Sequence, residues 1–268
     1  MIKDITFGQY LPIDSYIHKM DARFKLVLTF ALIVFAFVSF NFCSLLLMSA
    51  FTLAVALISK VPMKMYLKTL KPILIFVVIT AVINVFYIKG EGAPLISFWV
   101  INIYLEGILK AVFVAVRIVL LVVISGALTY TTSPTALTDA IESLLKPLTK
   151  IGVDIHTFAM MMTIALRFIP TLIEETDKIS SAQKARGSDM DSGNFIQKIK
   201  SVLPILIPLL AGSIRRATEL ADAMECRCYH GGEGRTRMKV LRASWRDWTA
   251  LAASCAMLAG IIVLNVLV

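Results

Sequence analysis

The sequence has few cysteines, and they form no pattern that predicts disulfide bonds. Only four occur in 268 residues, at positions 43, 226, 228 and 255. Proteins held together by disulfides usually carry more cysteines, at characteristic spacings. Cys226 and Cys228 lie near His230, but no second cysteine pair accompanies them, so we do not expect a zinc site.

Charged residues are also scarce, which indicates a membrane protein. They make up 17% of the chain, hydrophobic residues make up 58%, and the mean hydropathy is +0.80. A soluble domain of this composition would expose large apolar patches to water, so a polytopic membrane protein is favoured. Residues 1–23 are polar, and no small-residue cleavage site follows the first apolar run, so we expect no secretory signal.

Carboxylates and histidines are missing from the uninterrupted apolar runs, where Lys110 and Arg117 are the charged residues. Carriers driven by protons or sodium normally place acidic or histidine side chains, or broken helices, inside the membrane. A membrane hydrolase needs a nucleophile or a metal constellation, and the sequence shows neither. We interpret Arg117 as a side chain that packs against another helix or snorkels, in preference to a substrate contact.

The apolar runs predict an all-α protein with about five membrane spans. Residues 26–59 carry no charge, and this run is too long to cross a core of about 30 Å once. A turn at residues 39–44 divides it into two short helices. Three further spans are predicted at about residues 72–88, 106–128 and 248–268. The segment 96–104 is interpreted as an interfacial belt or a short strand, or as the start of the fourth helix.

The distribution of basic residues predicts the orientation. Four Lys or Arg residues precede residue 26, four lie in 60–71 and sixteen lie in 131–247, but the loop 89–105 has only Lys89. Basic residues concentrate on the cytoplasmic side of membrane proteins. The N-terminus and the region 131–247 are therefore predicted to be cytoplasmic, in a multi-pass protein of the plasma membrane.

Residues 131–247 are predicted to form a cytoplasmic region between a transmembrane region, 1–130, and a final transmembrane helix, 248–268. Ser133-Pro134 is a helix-start signal, and apolar residues at helical spacing follow it, as in a short amphipathic helix. Asp154 can cap a second helix that reaches Ala185. A third helix is predicted from about Ile199 to Glu225, so the region contains one short and two long helices.

Both long helices end in an arginine flanked by small residues. Arg186 and Arg227 lie 41 residues apart, each at the end of a helix-like run. Small neighbours allow an arginine to enter a groove of another protein, and two such sites indicate two copies or relatives of one partner. Ordinary helix ends that carry an arginine are the alternative. The flanking small residues are Ala182, Ala185, Gly187, Ala223, Cys226 and Cys228.

Alignment of the two arginines also shows a weak internal repeat. Glu174-Glu175 then corresponds to Arg215-Arg216, so helices that cross could pair these charges. Charges solvated on two amphipathic helices are the other interpretation.

The sequence resembles the transmembrane coupling component of energy-coupling factor (ECF) transporters, the family that includes the cobalt-uptake transmembrane subunit. The resemblance covers essentially the whole chain. It rests on Ser15-x-x-His18-Lys-x-Asp21-x-Arg23-x-Lys25, on Leu166-Arg-Phe-Ile-Pro170 and on the paired arginine motifs. The family usually carries Ala-Arg-Gly at both motifs. The second motif reads Cys226-Arg227-Cys228, and cysteine adopts positive φ less readily than glycine.

The resemblance implies a transporter subunit with no catalytic site and no cofactor of its own. Two cytoplasmic ATP-binding-cassette (ABC) ATPases, which bind the ATP, would receive the tips of two crossing helices. The other protein partner would be a small membrane subunit that binds a vitamin or a metal ion. The resemblance implies no nucleic-acid partner. By position, the resemblance assigns ATPase coupling to Ala182, Ala185, Arg186, Gly187, Ala223, Cys226, Arg227 and Cys228.

A methionine cluster near the start of the second helix has two interpretations. Phe158, Met160, Met161 and Met162 form either ordinary core or an adaptable surface against the substrate-binding subunit.

Two other functions remain open from the sequence. A conventional ABC-importer permease lines its own path and usually offers one coupling loop per subunit. A membrane enzyme of unknown chemistry is the third possibility.

Overall fold

The computed structural model describes residues 10–88, 96–98, 101–187, 195–231 and 241–267. These residues form two compact units. In the described part of the chain, one unit comprises residues 10–140 and 241–267, and the other comprises residues 141–187 and 195–231. These described residues are helical apart from one small pair of strands, which confirms the predicted all-α class.

Among its described residues, the first unit contains five complete helices, the start of a sixth and two short strands. Strands β1 and β2 pair antiparallel, with Ile96 opposite Ile103, so the strand interpretation of segment 96–104 is the one observed. The elements in chain order are α1 (Ala22–Val38), α2 (Phe42–Ile58), α3 (Met63–Tyr87), β1 (Ile96–Phe98), β2 (Ile101–Ile103), α4 (Leu105–Thr131) and α8 (Trp245–Leu267).

Five helices in the described part of the chain are long and apolar enough to cross a membrane, as the sequence predicted. Their identity differs in part from the prediction. Helices α1 and α2 have 17 residues each, or about 25 Å, which is shorter than a typical membrane core. The five are α3, α4, α8 and two helices of the second unit, Ile155–Ala185 and the segment 200–225.

The predicted turn between α1 and α2 is present and is held by polar contacts. The Ser39 hydroxyl donates to Ser44 Oγ at 2.7 Å, and the Ser44 hydroxyl donates to the carbonyl of Asn41. Arg117 of α4 donates from Nη2 to the carbonyl oxygen of Ser39 at 2.5 Å. The guanidinium also lies 4.7 Å from the ring centroid of Phe113. Arg117 therefore packs against a neighbouring helix end, as the sequence indicated.

The core of the first unit lies between α1, α2, α4 and α8. Its fully buried members include Ala36, Met48 and Ile261. Helix α3 packs on α4, where a Cβ added at Gly107 would lie 3.2 Å from the Val85 carbonyl oxygen. Glycine at 107 therefore allows these two helices to approach closely.

Helix α3 begins at Met63, about nine residues earlier than the predicted start near Pro72. The lysines in 60–71 lower the hydropathy of this segment, but lysine has high helix propensity and does not end a helix. Pro72 lies inside the helix without ending it.

The second unit contains α6 (Ile155–Ala185) and α7 (Phe195–Glu225), and α5 (Pro134–Leu145) crosses the boundary between the units. A short 3-10 helix, Lys146–Ile151, follows α5. The predicted caps are present. Ser133 Oγ accepts from the Ala136 N–H at 3.3 Å, and Asp154 Oδ1 accepts from the Thr157 N–H at 3.1 Å.

Candidate functional site

Arg186 is the C-cap residue of α6. Its backbone N–H donates to the carbonyls of Ala182 and Gln183 at 3.2 and 3.1 Å. Gly187 follows with φ +83°, and its N–H donates to the Lys184 carbonyl at 3.0 Å. A left-handed residue after the cap is the usual way to end a helix, and it places Arg186 at the last turn.

Helix α7 ends in the same way, although it has cysteine where α6 has glycine. Cys228 adopts φ +57°, and its N–H donates to the Glu225 carbonyl at 2.8 Å. The Tyr229 N–H donates to the Met224 carbonyl at 3.1 Å, which completes a Schellman motif. Arg227 thus precedes the left-handed residue, as Arg186 does in α6. Cys228 thus adopts the same left-handed region after α7 that Gly187 adopts after α6.

All eight residues of the two motifs are exposed in this chain. Apart from its neighbours in the chain, no described residue has an atom within 4 Å of a Cβ built on Gly187, so the backbone there is open to a partner. Helical positions one and four residues before each arginine carry alanine or cysteine, which are small side chains.

Helices α6 and α7 pack together through an ion pair at equivalent positions of the repeat. Arg216 Nη2 lies 2.5 Å from Glu175 Oε2, and both side chains are less than one third exposed. Glu175 and Arg216 are 41 residues apart, the same separation as Arg186 and Arg227. Each arginine motif therefore lies eleven residues, or about 16 Å of helix, beyond the contact.

Gly212, which the sequence analysis did not single out, adjoins this ion pair. It is buried and lies one turn before Arg216 on α7. A Cβ at position 212 would lie 3.1 Å from Glu175 Oε1, so even alanine would press on the carboxylate. The absence of a side chain at 212 leaves room for the Glu175 carboxylate to reach Arg216.

The apolar halves of α6 and α7 carry large exposed side chains. On α6, Phe158, Met161 and Met162 are 51%, 54% and 41% exposed, and Met160 is partly buried. On α7, Leu203, Ile207, Leu210 and Ile214 follow one another at helical spacing and are 45–67% exposed. The methionine cluster was predicted as a possible interface; the stripe on α7 was not, although its helical spacing is visible in the sequence.

The N-terminal motif lies in the first unit, at the start of α1. Asp21 caps this helix by accepting from the Arg23 N–H, and its carboxylate also forms an ion pair with the Arg23 guanidinium at 2.9 Å. Burial favours the neutral acid, but the hydrogen bonds from Arg23 outweigh it and hold the pKa of Asp21 below its usual value.

Lys25 connects the motif to other elements of the first unit. Its side chain is 6% exposed, and its ammonium donates to the carbonyls of Thr131 and His18 at 2.8 and 3.2 Å. Ser15 Oγ lies 2.6 Å from His18 Nδ1. Burial, together with repulsion from the Lys25 ammonium, lowers the pKa of His18.

Asp247 completes this polar junction and was not predicted. It is fully buried at the start of α8, where its two carboxylate oxygens accept from the backbone N–H groups of Asp21 and Ser244 at 2.9 and 2.6 Å. In the sequence it stands between Arg246 and Trp248 and looks like one more charge beside a span. Its partner at Asp21 is 226 residues away, so only the fold reveals the contact.

Comparison with models of protein families shows which family the chain belongs to. The family model for "Cobalt transport protein" (CbiQ) matches residues 14–238, from the N-terminal motif to beyond the second arginine motif. The chain belongs to this family. Both arginine motifs and the N-terminal motif that carried the resemblance therefore lie inside the matched segment.

Curated relatives extend the ECF assignment over most of the chain. A protein of Clostridium kluyveri named energy-coupling factor transporter transmembrane protein EcfT is 54% identical over 257 residues, covering 96% of this chain and 94% of the relative. A protein of the same name from Ruminiclostridium cellulolyticum is 54% identical and covers 90% of each chain. The relative from Listeria innocua is 40% identical and covers 98% of each. The chain is thus an ECF transporter transmembrane component by sequence.

Proposed function

We propose that this chain is the coupling subunit of an ATP-driven importer for a vitamin or a metal ion. It transmits the movement of two cytoplasmic ABC-type ATPases to a small membrane subunit that binds the substrate. The ATPases bind the ATP, and the chain itself catalyses no reaction. It lies in the plasma membrane with its N-terminus in the cytoplasm, in keeping with the distribution of basic residues.

The equivalent geometry of α6 and α7 supports this proposal most strongly. Each helix ends with an exposed arginine followed by a left-handed residue, and the two helices meet at positions equally distant from those arginines. A subunit that docks on two similar ATPases needs two similar tips at matched distances from one pivot. A permease with a single coupling loop does not require this repetition.

Each tip suits a groove that has acceptors at its base. Guanidinium makes charge-assisted, multidentate hydrogen bonds to carboxylates or carbonyl oxygens, which a lysine ammonium does less well. The small side chains of Ala182 and Ala185 on α6, and of Ala223 and Cys226 on α7, allow the groove walls to approach the helix.

The exposed apolar halves of the same helices supply the second interface. Methionine repacks against different partners at low cost, so Phe158, Met160, Met161 and Met162 suit a subunit that moves in each cycle. The exposed stripe on α7 adds to this apolar area. Movement at the tips then reaches the substrate-binding subunit through the body of each helix.

The composition of the intact complex tests the proposal. Native mass spectrometry of the complex purified from its own membrane should find one copy of this chain, two ABC ATPases and one small apolar membrane protein. Two copies of this chain with ATPases would identify a conventional permease. A single chain that is active alone would identify an enzyme. Either result would refute the proposal.

A further inference from the structure

The first unit contains a cavity of about 290 Å³ that the coupling function does not use. Its wall is apolar, and the hydroxyl groups in it are engaged locally. Thr29, Thr52 and Ser254 each donate to a carbonyl of their own helix. The wall is formed by α1, α2, α4, α8 and residues 16–20 of the N-terminal segment.

The cavity has a buried inner wall and an open side. Leu32, Ile124 and Ala127 line the wall and are at most 8% exposed. Ile58 of α2 and Ala253 of α8 also line the cavity but are exposed, so they mark its mouth. The mouth therefore opens beside α8, which is long and apolar enough to cross a membrane.

The character of the wall determines what can occupy this space. Apolar cavities of this kind remain dry and accept apolar ligands. Lys25 is the charged residue of the wall, but its ammonium already donates to the carbonyls of Thr131 and His18, and it lies close to the Asp247 carboxylate. The interior thus offers no uncompensated charge that would select an anionic group.

An arginine and a tyrosine lie at the mouth of the cavity instead. Tyr16 lines the cavity, is 42% exposed, and its hydroxyl lies 2.6 Å from Thr249 Oγ1. The Arg246 guanidinium lies 5.7 Å from the centroid of the Tyr16 ring. Tyrosine commonly lies at the level of lipid headgroups, and guanidinium binds phosphate through paired hydrogen bonds. Tyr16 and Arg246 therefore suit a lipid phosphate that lies outside the apolar cavity.

We propose that the cavity binds one acyl chain of an anionic phospholipid and that Arg246 contacts the lipid phosphate. The chain enters between Ile58 and Ala253 and lies against Ile124 and Ala127. The lipid chain fills the cavity that α1, α2, α4 and α8 enclose. This site is separate from both arginine motifs, which belong to the second unit.

Photo-crosslinking in the reconstituted complex tests the site. The probe is phosphatidylglycerol with a diazirine at the end of one acyl chain, in vesicles of phosphatidylglycerol and phosphatidylethanolamine. We expect labelling of residues 123–128 of α4. Ala253→Phe should block the mouth and reduce that labelling about tenfold, a loss of about 1.4 kcal/mol in binding. Ala252→Phe is the matched control, because Ala252 is also exposed but does not line the cavity.

Two further experiments test which lipid headgroup the site binds. Arg246→Gln should reduce labelling by phosphatidylglycerol to the level of a phosphatidylcholine probe, in which the choline ammonium offsets the phosphate charge. Arg242→Gln, at an exposed arginine, should not. A diazirine-bearing free fatty acid that labels α4 as well as the phospholipid does would overturn the assignment. Equal labelling in Ala253→Phe and Ala252→Phe would also overturn it, as would labelling only after the partner subunits are removed.

Discussion

Glu175 and Arg216 form an ion pair where α6 packs on α7, and they occupy equivalent positions of the 41-residue repeat. Their neighbours Glu174 and Arg215 are exposed. The pair joins the two arginine-tipped helices at one point, so it should affect how movement passes between them.

Reversing one charge of this pair should impair coupling, and reversing both should restore it. Glu175→Arg places two cations together, and adding Arg216→Glu re-forms an ion pair of opposite orientation. The effect on stability should be under about 1 kcal/mol, because both side chains are partly solvated. Uptake by the reconstituted complex is the measurement.

The exposed neighbours provide the control for this prediction. Glu174→Arg with Arg215→Glu changes the same charges outside the contact and should leave uptake unchanged. Gly212→Leu should separate the helices without a change of charge and reduce uptake, since even a Cβ at 212 crowds Glu175. If uptake by the Glu175→Arg single variant equals that of wild type, the pair has no role in coupling.

The two terminal arginines should each be needed for ATPase docking. Arg186→Ala and Arg227→Ala remove one partner of a charged contact that becomes desolvated on docking, which typically costs about 2–5 kcal/mol. Each single change should weaken ATPase binding or uncouple hydrolysis from uptake, and the double change should nearly abolish transport. ATPase retention and uptake are measured together. Arg215→Ala, another exposed arginine of α7, is the control and should retain both.

Cys228→Gly should stabilise the end of α7. Cys228 adopts φ +57°, which costs a residue with a Cβ about 1 kcal/mol relative to glycine. Hydrogen exchange at the Cys228 and Tyr229 amides should therefore slow. The reciprocal change, Gly187→Cys, should destabilise the end of α6 by a similar amount. Faster exchange in Cys228→Gly would show that the cysteine side chain supports the turn.

The stability of the first unit should decrease as the pH falls below about 6.5, the ordinary pKa of histidine. The pKa of His18 is lowered by burial and by the Lys25 ammonium, so the unfolded chain binds a proton more readily than the folded one. The contribution of His18 to stability is therefore fully present above pH 6.5. It is lost as the pH falls from 6.5 to the pKa of His18 in the folded protein.

Thermal unfolding in detergent at about pH 7.5 and about pH 5 measures this effect. The asparagine in His18→Asn can still accept a hydrogen bond from Ser15 but does not titrate. This variant should therefore show a smaller difference between the unfolding temperatures at the two pH values. His230→Asn replaces an exposed histidine of the second unit and should not. An unchanged pH dependence in His18→Asn would assign the effect to other groups.

Replacing Met160, Met161 and Met162 together by isoleucine should reduce substrate-subunit association or turnover. Isoleucine retains hydrophobicity but is stiffer at χ1, so the surface adapts less readily to a moving partner. ATPase retention should be unchanged, because the arginine motifs lie at the other end of α6. Met63→Ile on α3, also at an exposed methionine, is the control. Unchanged transport and complex stability would favour a packing role.

Local sequence signals determined much of the second unit. The helix ends at Ala185 and Glu225, the cap at Asp154 and the 41-residue repeat follow from short stretches of sequence, because capping and left-handed ends depend on neighbouring residues. The start of α3 was placed too late, since lysine reduces hydropathy without breaking a helix.

The tertiary structure alone decided which of these residues meet. The repeat allowed either carboxylate of Glu174-Glu175 to pair with either arginine of Arg215-Arg216. In the structure, the rotation of the helices and the space left by Gly212 bring Glu175 to Arg216. The burial of Asp247 depends on Asp21, which is 226 positions away. Sequence thus determined where helices end, because those interactions are local, whereas packing between distant segments determined the ion pair, the polar junction and the cavity.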